Sequence, residues 1–140
     1  MDNLFEFGQR IIASQPFSRL LGAQLTVLEE GCAEITIPIT PELLQQYGFV
    51  HGGVISYAAD NALAFAGGSM LELEVVSSEY KINFIKPAIG ERLVARASVL
   101  SAGRRQSVCQ CQVWVVANGE EQLCAVAQGT IVTVSAPATP

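Results

Sequence analysis

The sequence predicts an α+β protein in which an antiparallel β-sheet curls around one buried helix. Three observations carry that expectation. Residues 52–67, GGVISYAADNALAFAG, are rich in alanine and apolar on nearly every side, the pattern of a helix wrapped by other structure. Four later segments, about 73–86, 91–101, 106–117 and 121–134, alternate apolar and polar residues and are separated by the turn sequences PAIGE, SAGRR and ANGEE. Upstream, AQLTVLEEG and CAEITIPI form two further β-type runs.

Taken in order, Leu4, Phe5, Phe7, Ile11 and Ile12 recur at helical spacing, so residues 3–14 are expected to form a short amphipathic helix within an N-terminal clasp over residues 1–20. From 23 to 39 a hairpin is expected about the turn Glu29-Glu30-Gly31, with Ala33, Ile35, Ile37 and Ile39 sharing one face. In TPELLQQYGFV, Thr40 is a candidate N-cap and Pro41 a first helical residue, enough for one turn of helix before Gly48. The central helix follows, then a four-stranded meander, then the tail SAPATP over 135–140. No internal repeat or linker divides the chain, which reads as one domain over 1–140, and a sheet around one helix is the economical packing.

Half the residues are hydrophobic and 15% are charged. So lean a charge supply points to surface buried against another copy of the chain, hence to oligomerisation. The net charge of −5 argues against nucleic acid, whose phosphates need a basic face. Lys81, Lys86, Arg92, Arg96, Arg104 and Arg105 are six of the eight basic residues, and either gather around an anionic ligand or are solvated strand and loop charges. The start MDNLFE lacks a signal-peptide pattern and no segment approaches the ~20 apolar residues of a membrane span, so no membrane partner and a cytoplasmic address are expected. Cys32, Cys109, Cys111 and Cys124 lack metal-ligand spacing and are expected as reduced thiols, with no metal bound.

FVHGGV contains the only histidine, His51, followed by Gly52 and Gly53 at the start of the central helix. A helix start bearing glycines presents open N–H groups and a partial positive charge, an oxyanion site that suits a thioester carbonyl. Alternatively, the glycines let the helix begin close to a strand, with His51 a satisfied core residue. Asp60 adds weight to the first reading, because a carboxylate in an apolar helix is costly unless paired, exposed or used. Gly53, Ser56, Asp60, Ala64 and Gly67 form a stripe of small or polar residues, either a close-packed contact or the wall of a ligand cleft.

With FVHGGVISYAAD, SSEYKINFIKPAIGERL and GRR in one chain, residues 20–134 resemble the hotdog-fold acyl-CoA thioesterases, nearest the phenylacetate-degradation (PaaI-like) type, with the 4-hydroxybenzoyl-CoA thioesterases as relatives. The resemblance implies a strongly bent antiparallel sheet wrapped around the long helix, and a homodimer with a continuous sheet, often doubled to a homotetramer. It also implies residue roles. Gln45, six before the histidine, places the thioester or water; Asp60, nine after it, is nucleophile or general base; Ser77 assists, in preference to Ser78. Arg104, Arg105 and Lys86 match the basic residues that hold coenzyme A. The His-Phe-Pro signature of the hotdog dehydratases is absent.

The function expected is hydrolysis of an acyl-CoA, with an aromatic or short- to medium-chain acyl group, without metal or redox cofactor. Gly52 or Gly53 polarises the carbonyl, His51 shapes the loop, and Phe49, Tyr57, Leu63, Phe65 and Met70 are candidates for the acyl pocket. Eight residues separate Gly52 from Asp60, about 12 Å at ~1.5 Å per residue, so one carbonyl can meet both only if two subunits share the site. Two competing readings remain: a non-catalytic acyl-CoA sensor using the same cleft, and an assembly protein whose helix stripe serves oligomerisation alone.

Overall fold

The computed structural model describes residues 3–71 and 74–134; the expected tail over 135–140 lies outside the described residues. Two N-terminal helices, α1 (Leu4–Ser14) and α2 (Pro16–Leu21), form the clasp. The side chain of Asn3 caps α1 by accepting the Glu6 N–H at 2.7 Å. Pro16 begins a new helix instead of extending the old one, because it cannot donate to the preceding turn. The hairpin follows as β1 (Gln24–Glu29) and β2 (Cys32–Pro38), with Ala33, Ile35 and Ile37 at most 3% exposed. Pro41–Leu43 is a single 3-10 turn, and Thr40 stands at its cap position without a side-chain cap bond.

The central helix, α3 (Gly52–Met70), runs three residues past the expected end. Four long strands complete the chain: β3 (Val75–Phe84), β4 (Arg92–Ala102), β5 (Gln106–Ala117) and β6 (Glu120–Thr133). α3 touches all six strands, which a straight rod can do only if the sheet bends around it. This is the hotdog fold. Ala58, Ala59, Ala62, Leu63 and Ala66 are at most 1% exposed, and their small volume lets the sheet close tightly. On the same helix, a Cβ added at Gly67 would lie 2.6 Å from Ser107 Oγ and 2.7 Å from Ile131 Cβ.

The expected four-stranded meander is corrected in one respect. The strand order is β1-β2-β4-β5-β6-β3, so only β4, β5 and β6 meander. β2 captures β4 along its whole length, from Cys32↔Ser98 to Pro38↔Arg92, which leaves β3 to pair with β6 at the far edge. The intervening segment crosses the end of the sheet, where Val50 N–H donates to Ala88 O at 3.0 Å and Ile85 N–H to Cys124 O at 2.8 Å. Edge position matters below: β3 runs beside α3 and leaves its outer side without a strand partner among the described residues.

Candidate active site

The helix start is built by the loop that precedes it. Leu44 and Val50 form an isolated bridge, Gln45 N–H donates to Phe49 O at 2.8 Å, and His51 N–H donates to Leu43 O at 2.9 Å. His51 then caps α3 with its own side chain, Nδ1 accepting the Gly53 N–H at 2.8 Å. That narrows the expected donor pair. Gly53's N–H is occupied, whereas Gly52's N–H meets no acceptor among the described residues and is the one open donor of the two. Gln45 lies in the same loop, its Oε1 accepting the Tyr47 N–H. Gln45, His51, Gly52 and Gly53 are thus brought together.

Asp60 sits two turns along, and its partner comes from β3: Ser77 Oγ donates to Asp60 Oδ1 at 2.5 Å. Ser78 is the residue that does not pair. The register runs Ser77↔Ile131 and then Glu79↔Thr130, so Ser78 bulges out and is exposed. In an unbroken strand residues 77 and 80 would face opposite sides. The bulge returns both to the helix, and Tyr80 OH lies 2.5 Å from Ser56 Oγ, one turn before Asp60. Gly129 makes room, since a Cβ there would meet Tyr80 Cβ at 2.6 Å and Glu79 O at 2.7 Å. Glu79 faces outward, accepting from Thr130 Oγ1 at 2.6 Å. Period-two reasoning sets Tyr80 away from Ser77, and only the backbone shows them on one side.

A cleft of about 780 Å³ opens between α1 and α3, lined by Phe7, Ile11, Ala64, Phe65, Leu71 and Val75 among others. Neither Asp60 nor Ser77 lines it; Asn61 and Ala64 on α3, and Val75 on β3, are the lining residues nearest to that pair along the chain. Of the five expected pocket residues only Phe65 lines it. Leu63 is buried at 1% exposure, Phe49 stacks on Tyr47, and Met70 is partly exposed. Tyr57 instead joins a polar cluster: its OH accepts from Asn61 Nδ2 at 2.9 Å and pairs with Ser18 Oγ at 2.5 Å, while Gln15 Oε1 accepts from Asn61 at 3.0 Å. This cluster pins the α1–α2 junction to α3.

Of the two readings of the basic residues, a gathered cluster is not formed by Arg104, Arg105 and Lys86 within one chain. Arg104 and Arg105 occupy the β4–β5 turn near the start of β3, where Thr133 N–H donates to Arg105 O. Lys86 follows the other end of β3, some nine residues or about 30 Å away. Arg96 is engaged elsewhere, bonding Glu34 at 2.8 Å and Glu121 at 2.6 Å. No group of three His, Cys, Asp or Glu side chains could hold a metal ion among the described residues. Cys109, Cys111 and Cys124 are buried thiols and Cys32 an exposed one; burial pushes Cys111 up to about 12 and Cys124 up to about 11. No helix among the described residues is long and apolar enough to cross a membrane.

The profile of the thioesterase superfamily matches residues 47–122, which span the helix start, Asp60, Ser77 and the basic turn. Medium/long-chain acyl-CoA thioesterase YigI of Escherichia coli is 27% identical over 133 residues, covering 83% of each chain. Acyl-coenzyme A thioesterase PaaI of the same organism is 31% identical over 97 residues, 69% of each chain. The crystal structure of a thioesterase family protein from Silicibacter pomeroyi superimposes with a TM-score of 0.89, at 33% identity, over 93% of this chain and 97% of that one.

Proposed function

Because this chain belongs to the thioesterase superfamily and is a thioester hydrolase, we propose that it cleaves an acyl-CoA to a carboxylic acid and free coenzyme A at a site shared by two subunits. The observation that carries the reading is the Ser77-bonded carboxylate of Asp60, the one charged side chain on α3. The cleft takes the acyl chain, aromatic or aliphatic. Gly52 N–H polarises the thioester carbonyl, His51 holds the loop that presents it, and Gln45 orients the thioester.

Gly52 and Asp60 lie about 12 Å apart along one helix, too far for reacting atoms that must come within about 3.5 Å. A twofold axis that pairs two β3 edges sets one subunit's Gly52 opposite its partner's Asp60. Phe84 stands against Gly52 and Ser77 against Asp60, so the same axis brings Lys86 of one subunit toward Arg104 and Arg105 of the other, a place for the phosphates of coenzyme A. The protein then works as a cytoplasmic homodimer, or as a tetramer of two such dimers, with no cofactor beyond its substrate.

Two measurements test this. Thiol release from a panel of aryl- and alkyl-CoA esters should show turnover; none with any ester would refute the activity. Subunit complementation tests the sharing. Asp60→Asn and Gly52→Pro should each be nearly inactive, since proline at the first helical position removes the open N–H while fitting the helix and the extended His51 before it. Their mixed dimer should regain one intact site. Verified heterodimers without recovered activity would refute the shared site but not the hydrolysis.

A further inference from the structure

The seam between α3 and β3 carries a second hydroxyl pair that the reaction as drawn leaves unused. Ser56 Oγ and Tyr80 OH lie 2.5 Å apart, both half-buried, one helical turn before Asp60 on the same face. A bulge at Ser78, tolerated only because Gly129 lacks a Cβ, turns Tyr80 to that face together with Ser77. We propose that Ser56 is a catalytic residue that holds the attacking water against Asp60, and that Tyr80 is the positioning residue that holds Ser56. This rests on the thioesterase reading of the site.

Side chains four apart on a helix stand about 5–6 Å from each other at Cβ. Two hydrogen bonds of about 2.8 Å through one oxygen cover the same span. Asp60 Oδ1 is taken by Ser77, which leaves Oδ2 to accept one hydrogen of a water while Ser56 Oγ accepts the other. A hydroxyl oxygen has two lone pairs, so Ser56 accepts from both the water and Tyr80, whose phenol is the stronger acid and the natural donor. With both hydrogens engaged, the water's lone pairs face away from the seam, toward the thioester carbon. As the water's oxygen bonds to that carbon, its proton passes to Asp60 and the carbonyl pair moves onto the oxygen facing Gly52. Collapse restores the carbonyl and breaks the C–S bond. Asp60 returns its proton to the departing thiolate, giving acid and free thiol. If Asp60 attacked the carbonyl itself, Ser56 would have nothing to hold.

Steady-state kinetics with the best acyl-CoA of the panel decides the matter. Ser56→Ala and Tyr80→Phe should each lower kcat about tenfold or more with KM within about twofold. The double variant should be little worse than Ser56→Ala, because Tyr80 acts through Ser56. Ser56→Thr, which keeps the hydroxyl, should recover most of the rate. Alanine suits a helix interior, so the melting temperature controls for folding without masking the result. Full kcat in Ser56→Ala, or a loss confined to KM, overturns the assignment. An unaltered protein that turns over no ester overturns the parent reading as well, so the two failures are distinguishable.

Discussion

The two flanks of the central helix follow opposite rules. Against the curved sheet α3 presents Ala58, Ala59, Ala62 and Ala66, fully buried. Against β3 it presents Gly52, Ser56 and Asp60, half-buried, with two hydroxyl bonds across the seam. Small residues serve both flanks for different reasons. On the first they remove volume so that sheet and helix touch; on the second they leave space for hydroxyls of β3 to reach Ser56 and Asp60. The lesson is that one helix can combine a fully buried, close-packed flank with a half-buried polar one, because their costs fall on different neighbours.

The sharpest way to separate the flanks is to alter one group on each. Asp60→Asn keeps the shape of the seam but removes the carboxylate, and kcat should fall by about 10³ with little change in thermal unfolding. An active Asp60→Asn variant would end the distinction. Ala62→Val should do the reverse, destabilising the protein by about 1–3 kcal/mol through overpacking, read as a lower denaturant midpoint, with kcat intact well below the melting temperature. An Ala62→Val protein of unchanged stability would show that the contact relaxes freely.

Weaker effects sharpen the picture at its margins. Neutralising both arginines of the β4–β5 turn, Arg104→Gln with Arg105→Gln, should raise KM several-fold at low ionic strength with kcat nearly constant, and the difference should shrink as salt is added. An unchanged KM at low salt places the phosphates elsewhere. The smallest effect concerns the thiols. Burial raises Cys111 to about 12 and Cys124 to about 11, above their values in the unfolded chain, so each favours the fold up to pH about 9 and the stability it contributes is lost between there and about 12. Unfolding curves across that range should show the decline. At neutral pH an alkylating reagent should label Cys32 alone in the native protein.

Local pattern made much of this legible before any coordinates. Alanine-rich residues 52–67 could only be a wrapped helix, and the break at Gly31 places the first hairpin correctly. His-Gly-Gly marked a helix start, and a lone carboxylate in apolar surroundings marked Asp60. The cleft between α1 and α3 was not legible, because its wall is α1 packed over α3, and packing partners leave no trace in spacing. For that reason four of the five residues expected there face other neighbours.

The sequence by itself determined what each stretch of chain becomes, because helix and strand periodicity, caps and turns are settled among residues a few positions apart. Tertiary structure alone decided which stretches meet. β2 takes β4 and leaves β3 at the edge; His51 takes the Gly53 N–H and leaves Gly52 open; the Ser78 bulge, matched to Gly129 on β6, turns Ser77 and Tyr80 to the same helix. The strand order and the bulge are each a competition for hydrogen bonds or volume between residues distant in sequence, and the outcome depends on the packed whole, whereas the His51 cap is settled two residues from its donor.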